Sequence, residues 1–536
     1  MRRTVTHSPW STLAIFVLLA IIHTWPLAAD PAHLSRNDNG DALLNTWAIA
    51  WVAHQLPRDP RHLFDANIFY PERHTLGYSE AVLVQGALAM PILAAGGSPV
   101  LAYNLVLLAG FALTGWAFCL LLHRWTGSWS AGYVAGSLAA FNAHVLVRLP
   151  HLQTQHVEFV AVMLYALDRV LISRRLRDAL LLGAGFALQG LTSVYLLVFS
   201  TWMLCFAAVT RIREWLGRDR IRTTALLIAA GASGAAILAP YLAAYVEVHR
   251  LTGFERTAHD ARLFSGSWID YLSTGARLHF GWWSYQFFDR AVSPNFPGIT
   301  AIALALTALA ARQSRRDPRV RMCVGAAVGC LVVSVLPRSP IYPVLHRVIP
   351  LFRAISVPAH LGQIVLLMIA VLAGFGVAGL QQRASRTVWP LVAIALTVAV
   401  NAEALRAPLA YEPFSDIPRL YDRLRGDRRA VLIELPFYEP RLFFGNAKYM
   451  LYSTRHWRPL LNGYSGFRGA SYDEVFAAIQ GFPDAAVLAA LRQRGVTHIT
   501  VHAPEFATDR LAAMANSRSL ELLVEERDIR LYRLRR

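Results

Sequence analysis

Residues 99–122 read PVLAYNLVLLAGFALTGWAFCLLL, a run that contains no charged side chain. The run is longer than the roughly 20 apolar residues that an α-helix needs to cross a bilayer. Further apolar runs, two of them short, are spread along the first 405 residues. The sequence therefore predicts an α-helical polytopic membrane protein with about 11 transmembrane helices.

The loops between these runs carry arginines in a regular alternation. Arginines precede the first predicted span and follow the second, fourth, sixth, eighth and tenth. The positive-inside rule makes that side cytoplasmic, so we expect a bacterial inner-membrane protein with a cytoplasmic N-terminus and an extracytoplasmic C-terminus. The predicted spans are Pro9–Ala29, Pro99–Leu122, Ser130–Leu149, Val157–Ile172, Ala179–Gly190, Ser193–Thr210, Thr223–Val248, Phe296–Ala311, Met322–Leu336, Leu361–Leu380 and Val388–Leu405.

Composition agrees with a membrane protein and argues against nucleic acid as a partner. Only 16% of the 536 residues are charged and 55% are hydrophobic, whereas soluble chains carry about 25% charged residues. The formal net charge of +18 comes almost entirely from arginine, because Lys448 is the only lysine. Much of this charge lies in short loops, where it is a topology signal rather than a nucleic-acid surface.

Two domains are predicted. Residues 1–405 form the transmembrane domain, which includes an extracytoplasmic first loop at 30–97, and residues 406–536 form a small soluble extracytoplasmic α/β domain. In the first loop, Leu44, Trp47 and Trp51 lie at helical spacing, which predicts an amphipathic helix over Asp41–Gln55 in the membrane interface. The apolar stretch Ala81–Ala95 is short and broken, so we expect it to be interfacial or re-entrant.

The tail has the pattern of alternating strands and helices. A turn at Arg527-Asp528 should join the last two strands. The predicted strands are Ala430–Leu435, His498–His502, Leu520–Glu525 and Ile529–Leu534, and the predicted helices are Asp473–Gln480, Asp484–Arg494 and Asp509–Ala515.

Two acids follow the first span, in the sequence Asp38-Asn39-Gly40-Asp41. An aspartate at such a position can cap the following helix by accepting backbone N–H bonds, and this interpretation stays open for Asp38. Capping needs one acid, however, so the second can act as a general base on an acceptor hydroxyl. We expect Asp41 to be the base and Asp38 to support it or to bind a metal.

Other polar residues gather at the predicted outer ends of the spans, where ionisable groups suit a reaction on a phosphorylated amphiphile. Arg353 lies on the side that the positive-inside rule disfavours, which a phosphate bound by its guanidinium would explain. The alternatives are an ion pair with an acid of the first loop for Arg353 and interfacial snorkelling for the segment around Arg148. The candidate substrate-binding residues are Glu80, Arg148, His151, Gln155 and Arg353.

Together with this architecture, five short stretches resemble the GT-C superfamily of membrane glycosyltransferases, in particular bacterial members of the polyprenyl-phosphate-sugar-dependent type. The resemblance implies lipid-linked sugar donors and an acidic catalytic base in the first outer loop, at Asp41 first and Asp38 second. Some members need a divalent metal and others do not, so the cofactor and any metal ligands stay open. The stretches are Gly40-Asp41 with Asn45-Thr46-Trp47, Asn67-Ile68-Phe69-Tyr70-Pro71, Ala102-Tyr103-Asn104-Leu105, Arg353 to Pro358 and Asn462-Gly463-Tyr464.

The predicted function is that of an integral membrane glycosyltransferase. It would move a sugar, with inversion, from a polyprenyl-phosphate donor to a glycan, lipid or protein acceptor outside the cytoplasm. The alternatives are a transporter or flippase of lipid-linked glycans and a non-catalytic membrane scaffold. A transporter should have charges at mid-membrane and repeated broken helices; the sequence has neither clearly, although Gln189 and Gln363 lie within spans.

Overall fold

The computed structural model describes residues 8–35, 40–253 and 255–535. It is mostly α-helical, with a four-stranded sheet near the C-terminus. The described residues fold as two compact units. Unit 1 comprises Met1–Ala29, Leu105–Tyr241 and Glu255–Ala410, and unit 2 comprises Asp30–Asn104, Leu242–Phe254 and Tyr411–Arg536.

Each predicted span coincides with helical structure, which confirms the helical architecture, while the number of membrane crossings stays a prediction. Within the described residues, five helical segments are long and apolar enough to cross a bilayer: Pro99–Thr126, Trp129–Val147, Arg220–Thr252, Pro318–Arg338 and Pro358–Arg383. Five apolar helices are shorter: Pro9–His23, Leu83–Ala94, Val194–Val209, Ile299–Ala310 and Trp389–Ala404. The predicted spans at Val157–Ile172 and Ala179–Gly190 correspond to the helices Glu158–Ser173 and Leu176–Thr192.

The third predicted span is broken within the membrane-type segment. One helix ends at Ala140 and the next runs over Ala143–Val147. Asn142 caps this second helix, because its side-chain oxygen accepts a hydrogen bond from the backbone N–H of Val145 at 3.2 Å. The break turns the chain into the polar segment 148–156.

The helix Gly362–Arg383 forms the centre of unit 1 and is almost completely buried. Small residues let its neighbours approach closely, as is common between membrane helices. A Cβ at Gly376 would lie 2.0 Å from the carbonyl oxygen of Leu304, so this glycine permits direct backbone contact with the helix Ile299–Ala310.

A buried charge in unit 1 is compensated by two arginines. Asp168 accepts hydrogen bonds from Arg211 Nη1 at 2.5 Å and from Arg319 Nε at 2.9 Å. Arg319 also donates to the carbonyl oxygen of Trp125 at 3.2 Å. A buried carboxylate is costly without partners, and the two arginines supply them. Because these residues come from different segments, the ion pairs tie several helices of unit 1 together, and their role is structural.

In unit 2 the sheet has the order β3 (Leu432–Leu435), β4 (His498–His502), β6 (Ile529–Leu534) and β5 (Leu520–Glu526). The strands β3 and β4 are parallel, and the other pairs are antiparallel. Arg527 and Asp528 both have positive φ, at 50° and 61°, as in a two-residue hairpin turn of type I′. The predicted strands and their turn are therefore present. The three predicted tail helices appear as Ala470–Ala478, Ala485–Gln493 and Thr508–Asn516.

The first loop and the C-terminal tail belong to the same unit. β1 (Leu34–Ser35) pairs with β2 (Glu412–Pro413). The helix Asp41–Gln55 has the predicted bounds and packs against the helices Leu83–Ala94 and Ala447–Ser453.

The predicted interfacial role of the helix Asp41–Gln55 is wrong. Trp47 is 1% exposed and Trp51 5%. Their indole N–H groups donate to Asn67 Oδ1 at 3.2 Å and to the carbonyl oxygen of Leu63 at 2.8 Å. The apolar periodicity of this helix thus serves protein packing on several sides, not contact with lipid.

Candidate functional site

Asp41 stands at the first position of its helix in unit 2. The preceding residue, Gly40, has φ of 85°, a conformation that favours glycine. A Cβ at Gly40 would also lie 3.0 Å from the carbonyl oxygen of Phe444. Gly40 is therefore required both for the turn and for the close approach of the 444 segment. Asp38 lies outside the described residues.

The Asp41 carboxylate is oriented by a tyrosine from the distant tail. Tyr464 Oη donates a hydrogen bond to Asp41 Oδ1 at 2.6 Å. Burial, and then the negative charge of Asp41, raise the pKa of Tyr464 well above its usual range. Tyr464 therefore remains a hydrogen-bond donor at neutral pH, and Asp41 is fixed while staying partly exposed.

Asn67 joins the first loop to the tail within unit 2. Its Oδ1 accepts from the Trp47 indole, and its Nδ2 donates to Ser453 Oγ at 3.0 Å and to the carbonyl oxygen of Arg458 at 3.2 Å. Its backbone carbonyl accepts from the N–H of Leu460 at 2.8 Å. One asparagine thus positions the Asp41 helix against the loop that leads to Tyr464.

Asn462 performs the same task on the other side of that loop. Its Oδ1 accepts from the backbone N–H of Glu434 at 2.8 Å, and its Nδ2 donates to the carbonyl oxygen of Glu434 at 3.0 Å. The same Nδ2 donates to Asn446 Oδ1 at 2.9 Å. Because Asn462 is fully buried, these bonds lock the Tyr464 loop onto strand β3.

The segment before Asp41 has its own brace. Asn104 Nδ2 donates to the carbonyl oxygens of Pro31 at 2.8 Å and Leu34 at 2.7 Å. Three of the five stretches that resemble GT-C enzymes therefore lie wholly in unit 2, together with Asn104 of a fourth, and they support the position of Asp41.

Glu80 lies in unit 2, partly exposed, between a short 3₁₀ helix and the helix Leu83–Ala94. Tyr245 fixes this segment: its hydroxyl donates to the carbonyl oxygen of Ser79 at 2.9 Å and accepts from the N–H of Ala81 at 3.2 Å. The role of Glu80 in substrate binding stays a prediction.

A second polar group forms in unit 1, around Arg148 and His151. Burial, and then the positive charge of Arg148, lower the pKa of His151 to about 3, so this imidazole is neutral at physiological pH. The backbone N–H of Arg148 donates to the carbonyl oxygen of His144 at 3.3 Å, and the His144 ring lies 5.4 Å from that of His360. The structure thus brings one arginine together with three histidines.

Two of these histidines were not among the residues selected from the sequence. His144 is buried, its Nδ1 lies 2.8 Å from Ser293 Oγ, and its ring lies 5.4 Å from that of His360. The signal in the sequence was a histidine inside an otherwise apolar span, which is costly and often functional. Its partners are distant in the chain, so the sequence alone does not show that these residues lie together.

Gln155 is buried beside this group, and its side chain forms hydrogen bonds to the protein backbone. Its Nε2 donates to the carbonyl oxygens of Val145 at 3.1 Å and Arg148 at 3.2 Å. Gln363 in turn donates to the carbonyl oxygen of Thr154 at 2.7 Å. These amides shape the 148–156 segment, and direct substrate binding by Gln155 stays a prediction.

Arg353 ends the short helix Pro350–Arg353 in unit 1 and is exposed. Its charge acts on His346, whose pKa is lowered first by burial and then by Arg353. Among the described residues, no group of three or more His, Cys, Asp or Glu side chains is arranged to hold a metal ion.

Solved structures with a similar fold include an arabinofuranosyltransferase and an oligosaccharyltransferase, although no family model and no curated protein sequence matches the chain. The arabinofuranosyltransferase AftD from Mycobacteria, in a mutant form, has a TM-score of 0.60 at 15% identity, over 100% of this chain and 42% of that chain. An Archaeoglobus fulgidus oligosaccharyltransferase has a TM-score of 0.52 at 12% identity, over 93% of this chain and 70% of that chain.

A related structure is the oligosaccharyltransferase AglB from Archaeoglobus fulgidus in complex with an inhibitory peptide and a dolichol-phosphate. Its TM-score is 0.50 at 13% identity, over 92% of this chain and 69% of that chain. The chain spans about two fifths of the length of AftD. These likenesses show that the chain has the GT-C fold, as the sequence resemblance predicted.

Proposed function

We propose that this protein is an integral membrane glycosyltransferase. It takes a sugar from a polyprenyl-phosphate-linked donor and adds it to a hydroxyl of an acceptor outside the cytoplasm. The GT-C fold and the described dolichol-phosphate complex of a structural neighbour support a lipid-linked donor. The single observation that carries the proposal is the partly exposed Asp41 carboxylate, which Tyr464 holds on a turn that only Gly40 permits.

The reaction is a single displacement at the anomeric carbon. The acceptor oxygen forms a bond to this carbon on the face opposite the leaving group, and the bond from carbon to phosphate oxygen breaks. The acceptor proton goes to Asp41, and the polyprenyl phosphate leaves with the electron pair. A base needs correct placement first and a suitable pKa second, and the bond from Tyr464 supplies the placement.

Within unit 1, Arg148 is the residue to which we assign the binding of a lipid phosphate. Its backbone is hydrogen-bonded to those of His144 and His151, at the point where a membrane-type helix is broken. Arginine binds phosphate through two parallel N–H bonds. Arg353 remains the second candidate for this role, because it is exposed at a helix end.

The proposal leaves the metal requirement open and keeps Asp38 as a candidate ligand or supporting residue. A divalent ion near Asp41 would stabilise the charge of the leaving phosphate, as bound cations do in other phosphate sites. Activity before and after chelation of divalent ions tests this point directly.

Profiling of lipid-linked and finished envelope glycans tests the function. We compare the parent strain, a deletion strain and a strain that carries Asp41→Ala at equal protein level. The enzyme proposal expects the same missing sugar and the same accumulated donor in the last two strains. A modification that persists with Asp41→Ala but is lost on deletion would favour a flippase or a scaffold instead.

A further inference from the structure

Unit 2 contains a cavity at the far end of the Asp41 helix. Its volume is about 730 Å³, and His54 and Arg58 lie on one side of it. Since an α-helix rises 1.5 Å per residue, His54 is about 20 Å along the axis from Asp41. The cavity is therefore separate from the site proposed for glycosyl transfer.

Aromatic side chains form one wall of this cavity. The rings of His54 and Trp457 are stacked with their centroids 4.4 Å apart, and the Trp51 ring meets Trp457 edge-on at 5.7 Å. Trp457 has φ of 58°. A bulky residue in this left-handed conformation is strained, and such strain is concentrated at ligand and functional sites.

Arginines supply the charge of the cavity. The lining includes Arg58, Arg425 and Arg455, against a single acid, Asp416. Asp422 neutralises part of this charge, because it accepts from Arg455 at 3.1 and 2.9 Å and pairs with Arg425 at 3.1 Å. Arg58 Nη1 instead donates to the carbonyl oxygen of His54 at 2.5 Å. Three arginines against two acids leave one net positive charge.

The histidine adds no charge at neutral pH. Burial, and then the neighbouring charge of Arg58, lower the pKa of His54 to about 4. The cation available to a ligand is therefore a guanidinium. Arg425 and Arg455 both pair with Asp422, whereas Arg58 donates to the carbonyl oxygen of His54.

Part of the lining is apolar. Met90, Leu93 and Ala94 line the cavity from the helix Leu83–Ala94. The same helix exposes Ala87, Leu88, Pro91 and Ala94, which lie at helical spacing on one adjoining face. An exposed apolar face that continues into a pocket is typical of a site for the chains of a lipid.

We propose that this cavity binds the phosphate head group of an anionic membrane lipid. The phosphate contacts Arg58 and its neighbouring arginines, the Trp457–His54 stack closes over the glycerol part, and the acyl chains follow Met90 and Leu93 onto the exposed helix face. A soluble phosphate would use only the arginine half of this site. The site thus makes anionic lipid a ligand of unit 2 in addition to any lipid-linked sugar donor.

Hydrogen exchange on the full-length protein in nanodiscs tests the proposal. We compare phosphatidylcholine discs with discs that also contain phosphatidylglycerol, and follow residues 53–59 and 454–458. Phosphatidylglycerol should slow exchange in both segments. Arg58→Gln should weaken the lipid affinity by about 10- to 100-fold, because a charge-assisted hydrogen bond is lost, whereas Arg61→Gln, an exposed arginine outside the cavity, should match the wild type.

Leu93→Asp provides an independent variant, because it places a negative charge in the apolar wall without touching any arginine. It should also weaken the protection that phosphatidylglycerol gives. Protection that is equal in Arg58→Gln, Leu93→Asp and the wild type overturns the proposal. Equal protection by inorganic phosphate in phosphatidylcholine discs overturns it too, because the ligand is then a soluble anion.

Discussion

Asp41 in unit 2 and Arg148 in unit 1 are the two best-supported candidates, and the protein holds them in opposite ways. Asp41 accepts from a neutral phenol, in a region braced by the amides of Asn67 and Asn462. Arg148 lies at a helix break beside His144 and His151, and His360 stands against His144. The first arrangement preserves a carboxylate that can accept a proton, and the second preserves a positive charge that can bind a phosphate.

The largest expected effect is on the Asp41 side of this comparison. Asp41→Asn keeps the size of the side chain and its ability to accept from Tyr464, but removes its basicity. General-base catalysis typically contributes about 10²–10⁴-fold, so turnover should fall on that scale while the thermal unfolding temperature is unchanged. Asp59→Asn, in the same loop but paired with His62 at the surface, is the matched control. Near-normal turnover in Asp41→Asn would leave Asp41 a structural residue.

On the Arg148 side the effect should fall on donor binding. Arg148→Gln removes the charge, and the loss of a charge-assisted contact to phosphate should raise the KM for the donor by about 10- to 100-fold. The kcat should change less, because the base is untouched. Arg353→Gln is the paired variant, since Arg353 was selected from the sequence for the same role. If Arg353→Gln shows the larger rise in KM, the phosphate site lies at Arg353.

The amide braces should affect stability more than chemistry. Asn462→Ala leaves the buried N–H and C=O of Glu434 without their side-chain partner. The free energy of unfolding should fall by about 2 kcal/mol. Resistance of the full-length protein to proteolysis and to thermal unfolding measures this change. Asn516→Ala, at an exposed helix end, should leave stability unchanged. A comparable loss of stability in Asn516→Ala would show that the assay does not measure the hydrogen bonds of Asn462.

Tyr464→Phe should give the smallest effect. It removes the hydrogen bond to Asp41 and keeps the ring that packs edge-on against Phe443 at 5.0 Å. A single neutral hydrogen bond contributes about 0.5–1.5 kcal/mol, so turnover should fall about two- to tenfold without loss of stability. A fall as large as that of Asp41→Asn would mean that Tyr464 itself takes part in proton transfer.

Local patterns predicted much of the fold. The strands β4 and β6 have the predicted bounds, and the turn at Arg527-Asp528 is present, because alternation and turn residues are encoded within a few positions. The helix Asp41–Gln55 was also placed correctly. Its surroundings were not, because an apolar stripe has the same periodicity whether it faces lipid or protein.

The sequence predicted the candidate site only in part, for a related reason. Asp41 was selected on its position after the first span and on its resemblance to a known base, but its partner Tyr464 is 423 positions away. Asn67 and Ser453 are separated by 386 positions. Contacts at such separations leave no local pattern in a single sequence. Tyr464 and the three asparagines belong to stretches that resemble GT-C enzymes, but the bonds that they make could be identified only from the structure.

The central claim is that one displacement, with Asp41 as the base, moves the sugar from a lipid-linked donor to the acceptor. The most direct test is the anomeric configuration of the product that the purified full-length protein forms in nanodiscs, determined by NMR of the newly made glycosidic bond. We predict the configuration opposite to that of the donor, with product formation strongly reduced in Asp41→Asn. A product that retains the donor configuration would contradict the account, because retention requires a nucleophile or a different mechanism in place of a single base-assisted displacement.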